Sequence, residues 1–280
     1  MSIIFGLCAA LGWGTGDFTG GIASRKTGAY RAVFYSEVAG VFFLLIVLGV
    51  FGETLPSLEV WLPAAIAGII GTFGLMLLYH SMTQGLMSIS APVSSLLAAM
   101  LPVVVGMFRE GLPKGLTMLG FVFALAAVWL VSQSEGGMKD ILSHLSDLKL
   151  PMLAGICFGL YFILMHESTD TGARIWPMIA SRLGGSVMIT GYVLISRIPL
   201  KVEDTSAWPF LILNGLFDVA GNVFFILSGQ AGRLDVASVL SSLFSGVTVM
   251  LAWIFLRERL TRGQWIGVAS ALVAIILMTL

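Results

Sequence analysis

The chain has 280 residues, of which 58% are hydrophobic and only 11% are charged, and its formal net charge is +0. Ordinary soluble domains carry roughly 25% charged residues, so this composition excludes a soluble fold and requires lipid around the outer surface. The charges fall in short clusters without a net sign, which argues against a nucleic-acid partner.

Ten apolar stretches are long enough to cross a bilayer as α-helices, each of which needs about 20 residues. In chain order they lie near residues 2–22, 31–51, 61–79, 88–108, 115–132, 150–166, 175–195, 208–228, 235–256 and 263–280. Together they use about 200 residues, so the connections leave no room for a soluble domain. We therefore expect an all-α integral membrane protein with ten transmembrane helices.

The second half of the sequence repeats the first. With a shift of 147 positions, residues 61–96 align with residues 208–243 without a gap, and Trp61 meets Trp208. Each copy holds five spans, and because five is odd the second copy must enter the membrane upside down. Inverted repeats are a known architecture of secondary transporters. The predicted first repeat, linker and second repeat are residues 1–132, 133–149 and 150–280.

Four ionisable residues lie well inside the predicted spans, away from their ends: Asp17, Glu37, Arg182 and Asp218. Each costs about 2.5–3.5 kcal/mol at the bilayer centre, so each must face a wet cavity or another charge. By default such residues mark a substrate or proton path, and a structural ion pair is the alternative. Glu37 and Arg182 occupy matching positions in the two copies. We expect them either to pair across a central cavity or to bind opposite ends of a zwitterion.

The eighth span carries a polar stripe, because Asn214, Asp218 and Asn222 recur every four residues on an otherwise apolar helix. The equivalent positions of the first copy are nonpolar, which argues against a general packing role. We interpret the stripe as part of a cavity wall. Hydrogen bonding between helices is the alternative.

Three further residues are candidates for substrate or proton binding. Trp13 shares a helix face with Asp17, and Tyr161 lies near the repeat partner of Trp13. Both are predicted to line the cavity, with packing or interfacial anchoring as the alternative. His80, near the end of the third span, titrates near neutral pH and is a candidate proton relay, unless it is solvated at the interface. A stripe of small residues for close helix packing is formed by Gly12, Gly16 and Gly20.

Several short motifs are spread along the chain. They are Leu11-Gly-Trp13-Gly, Leu78-Tyr79-His80-Ser81-Met82, Ala91-Pro92, Pro102, Glu110-x-Leu112 and Arg257-Glu258-Arg-Leu260-Thr261-x-x-Gln264-x-x-Gly267. Together with the length, the span count and the repeat, they resemble the EamA-like family of the drug/metabolite transporter superfamily. The resemblance implies a ten-helix carrier with an enclosed central cavity that moves metabolites such as amino acids by alternating access. The family often has Arg in the second helix of each copy, where this chain has Glu37 and Arg182.

The expected function is that of a secondary transporter in the plasma membrane, in bacteria the inner membrane. Its substrate is predicted to be a small polar or zwitterionic metabolite, such as an amino acid or an amine, with protons as a candidate coupling ion. No cofactor or metal ion is expected, and the protein is predicted to be a monomer or a homodimer.

Two alternatives stay open at this point. One is a channel-like facilitator. The other is an intramembrane aspartyl protease, because Gly14-Thr15-Gly16-Asp17 matches a GxGD motif. Such an enzyme needs a second aspartate that shares a proton with the first, for which Asp218 is available. A protease would leave the repeat and the Arg-Glu-x-Leu motifs unexplained, so no enzymatic activity is expected.

The lysines and arginines of the connections predict the orientation. One side of the membrane holds ten of them and the other side four. The larger set is Arg25, Lys26, Arg31, Lys139, Lys149, Arg197, Lys201, Arg257, Arg259 and Arg262, and the smaller set is Arg109, Lys114, Arg174 and Arg233. The positive-inside rule then places both termini outside the cytoplasm, whereas the resemblance implies both termini inside. We expect a C-terminal reporter that works only in the cytoplasm to be silent, and an active reporter would reject the charge count.

Overall fold

The computed structural model describes residues 1–83, 87–131, 148–169, 175–256 and 261–279. Within these ranges the chain is a bundle of α-helices with one 3-10 turn and no strand. The helices are α1 Ser2–Thr27, α2 Ala29–Phe51, α3 Leu58–Thr83, α4 Met87–Glu110, α5 Gly115–Val131, α6 Lys149–Thr169, α7 Ile175–Ile195, α8 Trp208–Gln230, α9 Leu234–Ser241, α10 Phe244–Leu256 and α11 Arg262–Thr279. Of the predicted linker, all but residues 148–149 lie outside the described ranges.

The described helices have the length and composition of membrane spans. Six stretches are long and apolar enough to cross a bilayer: Ala29–Val50, Leu58–Thr83, Lys149–Thr169, Ile175–Ile195, Thr205–Gln230 and Leu234–Leu256. Val93–Arg109 and Gly115–Leu130 are shorter apolar helices. Large apolar side chains such as Phe42, Val50 and Phe108 are exposed on the outside of the bundle, as lipid contact requires. The all-helical membrane fold is confirmed, and the count of ten spans is confirmed in part.

The predicted ninth span is interrupted in the structure. α9 ends at Ser241 and α10 begins at Phe244. The Ser242 hydroxyl donates to the carbonyl of Val239 at 2.7 Å, so a side chain takes up a backbone acceptor next to the break. Discontinuous helices are common next to the binding sites of secondary transporters.

Helices from the two halves of the chain interleave. α1 packs along α8, and α6 packs along α3. In both pairs, the first helix of one half of the chain packs along the third helix of the other half. α5 and α11, the last helix of each half, pack on each other. Two inverted copies related by a two-fold axis would pack in this way, and the division into two repeats stays a prediction.

The close approach of α1 and α8 depends on glycine. A Cβ atom at Gly12 would lie 2.7 Å from the backbone nitrogen of Gly221, which is too close, whereas one at Gly16 would make an ordinary contact of 3.5 Å with the backbone nitrogen of Asp218. A Cβ atom at Gly221 would collide with the ring of Trp13. The small-residue stripe of α1 therefore faces α8.

Polar contacts tie the helix ends together at the two faces of the bundle. On the face that holds Met1, which we call the terminal face, Arg109 and Glu167 form an ion pair of 2.6 Å. On the opposite face, Lys26 and Asp204 pair at 3.2 Å. Hydrogen bonds from Ser206 and Lys26 hold the pKa of the Asp204 carboxyl below its usual range. All four charged side chains are substantially exposed, so these pairs contribute little to stability.

Candidate functional site

A cavity of about 80 Å³ lies in the middle of the bundle. Side chains of α1, α2, α3, α6, α7 and α8 form its walls, together with the first residue of α10. Seven of the nine site residues predicted from the sequence line it: Trp13, Asp17, Glu37, Tyr161, Arg182, Asp218 and Asn222. The structure thus brings most of the candidate residues to one place.

Arg182 of α7 is buried at the centre of the charged part of the wall, with 6% of its surface exposed. Its Nη1 atom lies 3.1 Å from Oε2 of Glu37, and its Nη2 atom pairs with Oδ2 of Asp218. A planar guanidinium presents five N–H donors, so it can serve two carboxylates at once. The predicted pair between Glu37 and Arg182 is therefore present, and Asp218 is a second partner that the sequence did not indicate.

Neutral side chains extend this ion-pair cluster in both directions. The Thr72 hydroxyl donates to Oε1 of Glu37 at 3.0 Å. Nδ2 of Asn222 donates to Oδ2 of Asp218 at 3.1 Å, and the Tyr161 hydroxyl donates to Oδ1 of Asn222 at 2.5 Å. The result is a continuous network across α3, α2, α7, α8 and α6, which we call the Arg182 network. Contacts between buried polar side chains restrict the orientation of the residues that make them.

Asp17 of α1 stands apart from the Arg182 network. Its side chain lines the cavity and is 9% exposed. Within the described ranges, its carboxyl group makes no hydrogen bond or ion pair. A carboxylate buried without a partner is costly, so the fold keeps one polar group of the wall available to a ligand or a proton.

An aromatic wall, made of Trp13, Phe158, Phe162 and Phe244, lines the cavity as well. The rings of Trp13 and Phe162 stack with centroids 5.1 Å apart, and the edge of Phe244 meets Trp13 at 6.3 Å. Sequence reasoning missed these three phenylalanines and Thr72. A Phe or Thr in an apolar helix looks the same whether it faces a cavity, a neighbouring helix or lipid.

Two of the predicted site residues lie outside the cavity wall. Asn214 is buried beside Tyr79, whose hydroxyl donates to its Oδ1 atom at 3.1 Å. Four residues advance a helix by roughly 400°, so Asn214 is turned about 80° away from Asn222. His80 lies about 12 Å further along α3 than Thr72, and its ring stacks on Tyr30 with centroids 5.9 Å apart. The structure therefore brings neither Asn214 nor His80 to the cavity.

The contacts of Asp218 bear on the protease alternative. That activity needs Asp17 and Asp218 to share a proton, but Asp218 is ion-paired with Arg182 and accepts a hydrogen bond from Asn222. The second carboxylate of such a site is thus already engaged. Across the part of the chain that the structure describes, no three His, Cys, Asp or Glu side chains come together to hold a metal ion.

Comparisons with known proteins agree with a transporter. The model of the EamA-like transporter family matches residues 1–133 and 148–280. An uncharacterised transporter of Synechocystis sp. is 25% identical over 292 residues, which cover 95% of this chain and 86% of the relative. An uncharacterised protein of Methanocaldococcus jannaschii is 29% identical over 99 residues, which cover 34% of this chain and 72% of that protein. A crystal structure of a further protein shares the fold, with a TM-score of 0.76 at 15% identity over 99% of this chain and 96% of the other.

Proposed function

Because the chain belongs to the EamA-like transporter family, and is therefore a multi-pass membrane transporter, we propose that it is a secondary carrier for a small polar or zwitterionic metabolite. The proposed substrates are amino acids or amines. The observation that carries the proposal is the central cavity, whose wall holds one guanidinium and three carboxylates. Charged groups inside a membrane are costly and mark transport paths, and a site near the midplane between two halves is where such carriers bind substrate.

Alternating access requires the two halves to move against each other, and the Arg182 network supplies contacts that can be exchanged. It connects α7 to α2 through Glu37 and to α8 through Asp218. Exchange of one of these contacts between the states of the transport cycle would release α7 from one of these helices. A secondary carrier draws its energy from a gradient, and we propose protons as the coupling ion.

Asp17 is the proposed proton-binding group, because its carboxyl has no other partner among the described residues. Among the described residues, the titratable or charged side chains around it are Tyr79 on α3, Glu37 on α2, Tyr161 on α6, Arg182 on α7 and Asp218 on α8. The negative charge of Asp17 can be neutralised by a bound proton or paired with a cationic group of the substrate.

Proteoliposomes with the purified protein test the proposed function. A carrier gives uptake of a labelled amino acid or amine that saturates with concentration, and unlabelled substrate inside the vesicles accelerates it by counterflow. An inward proton gradient should change the uptake if protons are coupled. Flux that stays linear with concentration and shows no counterflow would favour a channel-like facilitator instead.

Asp218→Asn is expected to remove most of the transport activity or its pH dependence. Sequence reasoning expects the variant to fold normally unless the charge is paired. Because Asp218 pairs with Arg182 in the structure, the variant should lose about 1–3 kcal/mol of its free energy of unfolding. The loss stays below the roughly 3–5 kcal/mol of a fully broken buried pair because Arg182 keeps Glu37.

The measurement for Asp218→Asn is proteoliposome flux across a pH series, together with the melting temperature in detergent. Asp204→Asn, which changes an exposed carboxylate on the opposite face, is the matched control and should leave both unchanged. Wild-type flux with a wild-type pH profile in well-folded Asp218→Asn would exclude this residue from the mechanism.

A further inference from the structure

The charged part of the cavity is not free to receive a carboxylate. Among the described residues, Arg182 is the only cation in the cavity wall. Both of its terminal nitrogens are engaged, Nη1 by Glu37 and Nη2 by Asp218. A ligand carboxylate at Arg182 would either share the guanidinium with these two carboxylates, which repel it, or displace one of them and leave it buried without its counter-ion. That cost weighs against anionic ligands and against the acidic end of a zwitterion.

Asp17 offers the opposite kind of contact. With all ionisable groups of the wall charged, three carboxylates face one guanidinium, so the cavity has a net negative charge. Asp17 is the carboxylate outside the Arg182 network, and its side chain is more than nine-tenths buried. A ligand ammonium group would give this carboxylate a counter-ion without disturbing any existing pair. Charge-assisted hydrogen bonds of this type are among the stronger ones in proteins.

The surroundings of Asp17 indicate what else the ligand carries. Trp13 lies four residues before Asp17 on α1, so the two side chains are neighbours on one helix face. The indole belongs to the aromatic wall, which is apolar and rich in flat ring surfaces. A ligand whose ammonium binds Asp17 would therefore place its apolar part against this aromatic wall, where a ring finds aromatic neighbours.

We infer that the cavity selects primary amines that carry one aromatic ring, in preference to the amino acid or the carboxylic acid with the same ring. This inference rests on the proposed carrier function and narrows its substrate from polar or zwitterionic metabolites to organic cations. The ammonium binds Asp17, the ring lies on the aromatic wall, and the Arg182 network stays closed on its own carboxylates.

The test uses three ligands with the same ring and chain: 2-phenylethylamine, phenylalanine and 3-phenylpropionate. Binding to the purified full-length protein in detergent is measured by calorimetry, and uptake is measured in proteoliposomes. We expect the amine to bind about ten-fold more tightly than phenylalanine, because the carboxylate of phenylalanine would enter a cavity whose wall already holds three carboxylates. The acid should bind most weakly. In Asp17→Asn the affinity for the amine should fall about ten-fold, the effect of one charge-assisted hydrogen bond, because the charged partner of the ammonium is gone.

Two further variants keep the test interpretable. Asp17→Glu retains the carboxylate and should retain the preference for the amine, although with a lower affinity. Asp204→Asn lies on the opposite face, outside the cavity, and should bind all three ligands as the wild type does. Asp17 has no partner to lose among the described residues, so Asn should not unfold the protein, and melting temperatures verify this.

Phenylalanine binding as tightly as the amine would overturn the inference, and so would an amine affinity that is unchanged in folded Asp17→Asn. If phenylalanine shows saturable flux and counterflow while the amine does not, the inference fails and the carrier function stands. If neither these ligands nor a panel of amino acids, amines and sugars shows saturable flux, the proposed function fails and the inference fails with it.

Discussion

Replacing Arg182 with Gln is expected to abolish transport and to lower the free energy of unfolding by about 3–5 kcal/mol, the usual cost of breaking a buried ion pair. The change removes the one guanidinium that Glu37 and Asp218 share, so both carboxylates lose their counter-ion at once. Glu37 is 4% exposed and, among the described residues, keeps only the Thr72 hydroxyl as a partner. One deprived carboxylate must then take up a proton or the local helices must separate.

A matched control for Arg182→Gln is present on the terminal face. Arg109 pairs with Glu167 at 2.6 Å, but the Arg109 side chain is 56% exposed. Arg109→Gln should therefore cost no more than about 1 kcal/mol. Chemical denaturation in detergent micelles compares the two variants. Equal unfolding midpoints for Arg182→Gln and wild type would mean that the Arg182 network does not hold in the membrane protein.

A double-mutant cycle distinguishes the two roles proposed for Glu37 and Arg182. Because the structure pairs them directly, the Glu37→Gln/Arg182→Gln protein should be more stable than the sum of the single effects allows, by about 0.5–3 kcal/mol. Stabilities that simply add, with only substrate affinity impaired, would indicate that the two residues bind opposite ends of a ligand. Transport should be strongly impaired in both single variants.

Gly68→Ala is expected to destabilise the protein by about 3 kcal/mol, the upper part of the usual range for overpacking. A Cβ atom at Gly68 of α3 would collide with the carbonyl oxygen of Ser181 and lie 2.7 Å from its Cα atom. The obstacle is the backbone of α7, which cannot rotate away as a side chain does. Since Ser181 immediately precedes Arg182, a shift of α7 would also misplace the guanidinium, and transport should fall with stability.

Gly191→Ala is the control for Gly68→Ala. Gly191 also lies inside a helix, α7, but a Cβ atom there would meet nothing within 4 Å. The replacement should leave transport intact and raise the stability by up to about 1 kcal/mol, since Ala is the better helix former. Melting curves of both variants in the same detergent compare their stabilities with that of the wild type. If Gly68→Ala melts like Gly191→Ala, the close contact of α3 and α7 in the structure is not maintained.

The lipid environment of the chain and the charged residues of its cavity could be predicted from the sequence, because both depend on local chemistry. A run of about 20 apolar residues is long enough to span a bilayer whatever its neighbours are, and an ionisable residue inside such a run is costly in any membrane fold. These two rules were sufficient to predict Asp17, Glu37, Arg182 and Asp218 as cavity residues, and all four line the cavity. The substrate was not accessible in this way, since no motif encodes it.

Helix geometry explains why two residues predicted to belong to the site, Asn214 and His80, do not reach the cavity. The stripe on α8 was treated as one face, but each step of four residues turns by about 40° beyond a full circle. Asn222 and Asp218 therefore reach the cavity while Asn214 meets Tyr79. His80 is displaced along the axis of its helix instead. It lies beyond the end of the cavity, next to Tyr30.

The sequence alone thus determined that the chain is a helical membrane protein and which charged residues must be sheltered from lipid. The tertiary structure alone decided how those charges are distributed. Arg182 is shared by Glu37, 145 positions before it, and by Asp218, 36 positions after it, and Asp17 is left without a counter-ion among the described residues. Which carboxylate pairs and which stays available depends on how α1, α2, α7 and α8 pack together. Distances between packed helices are set by contacts such as Gly12 against Gly221, which connect parts of the chain that no local pattern relates.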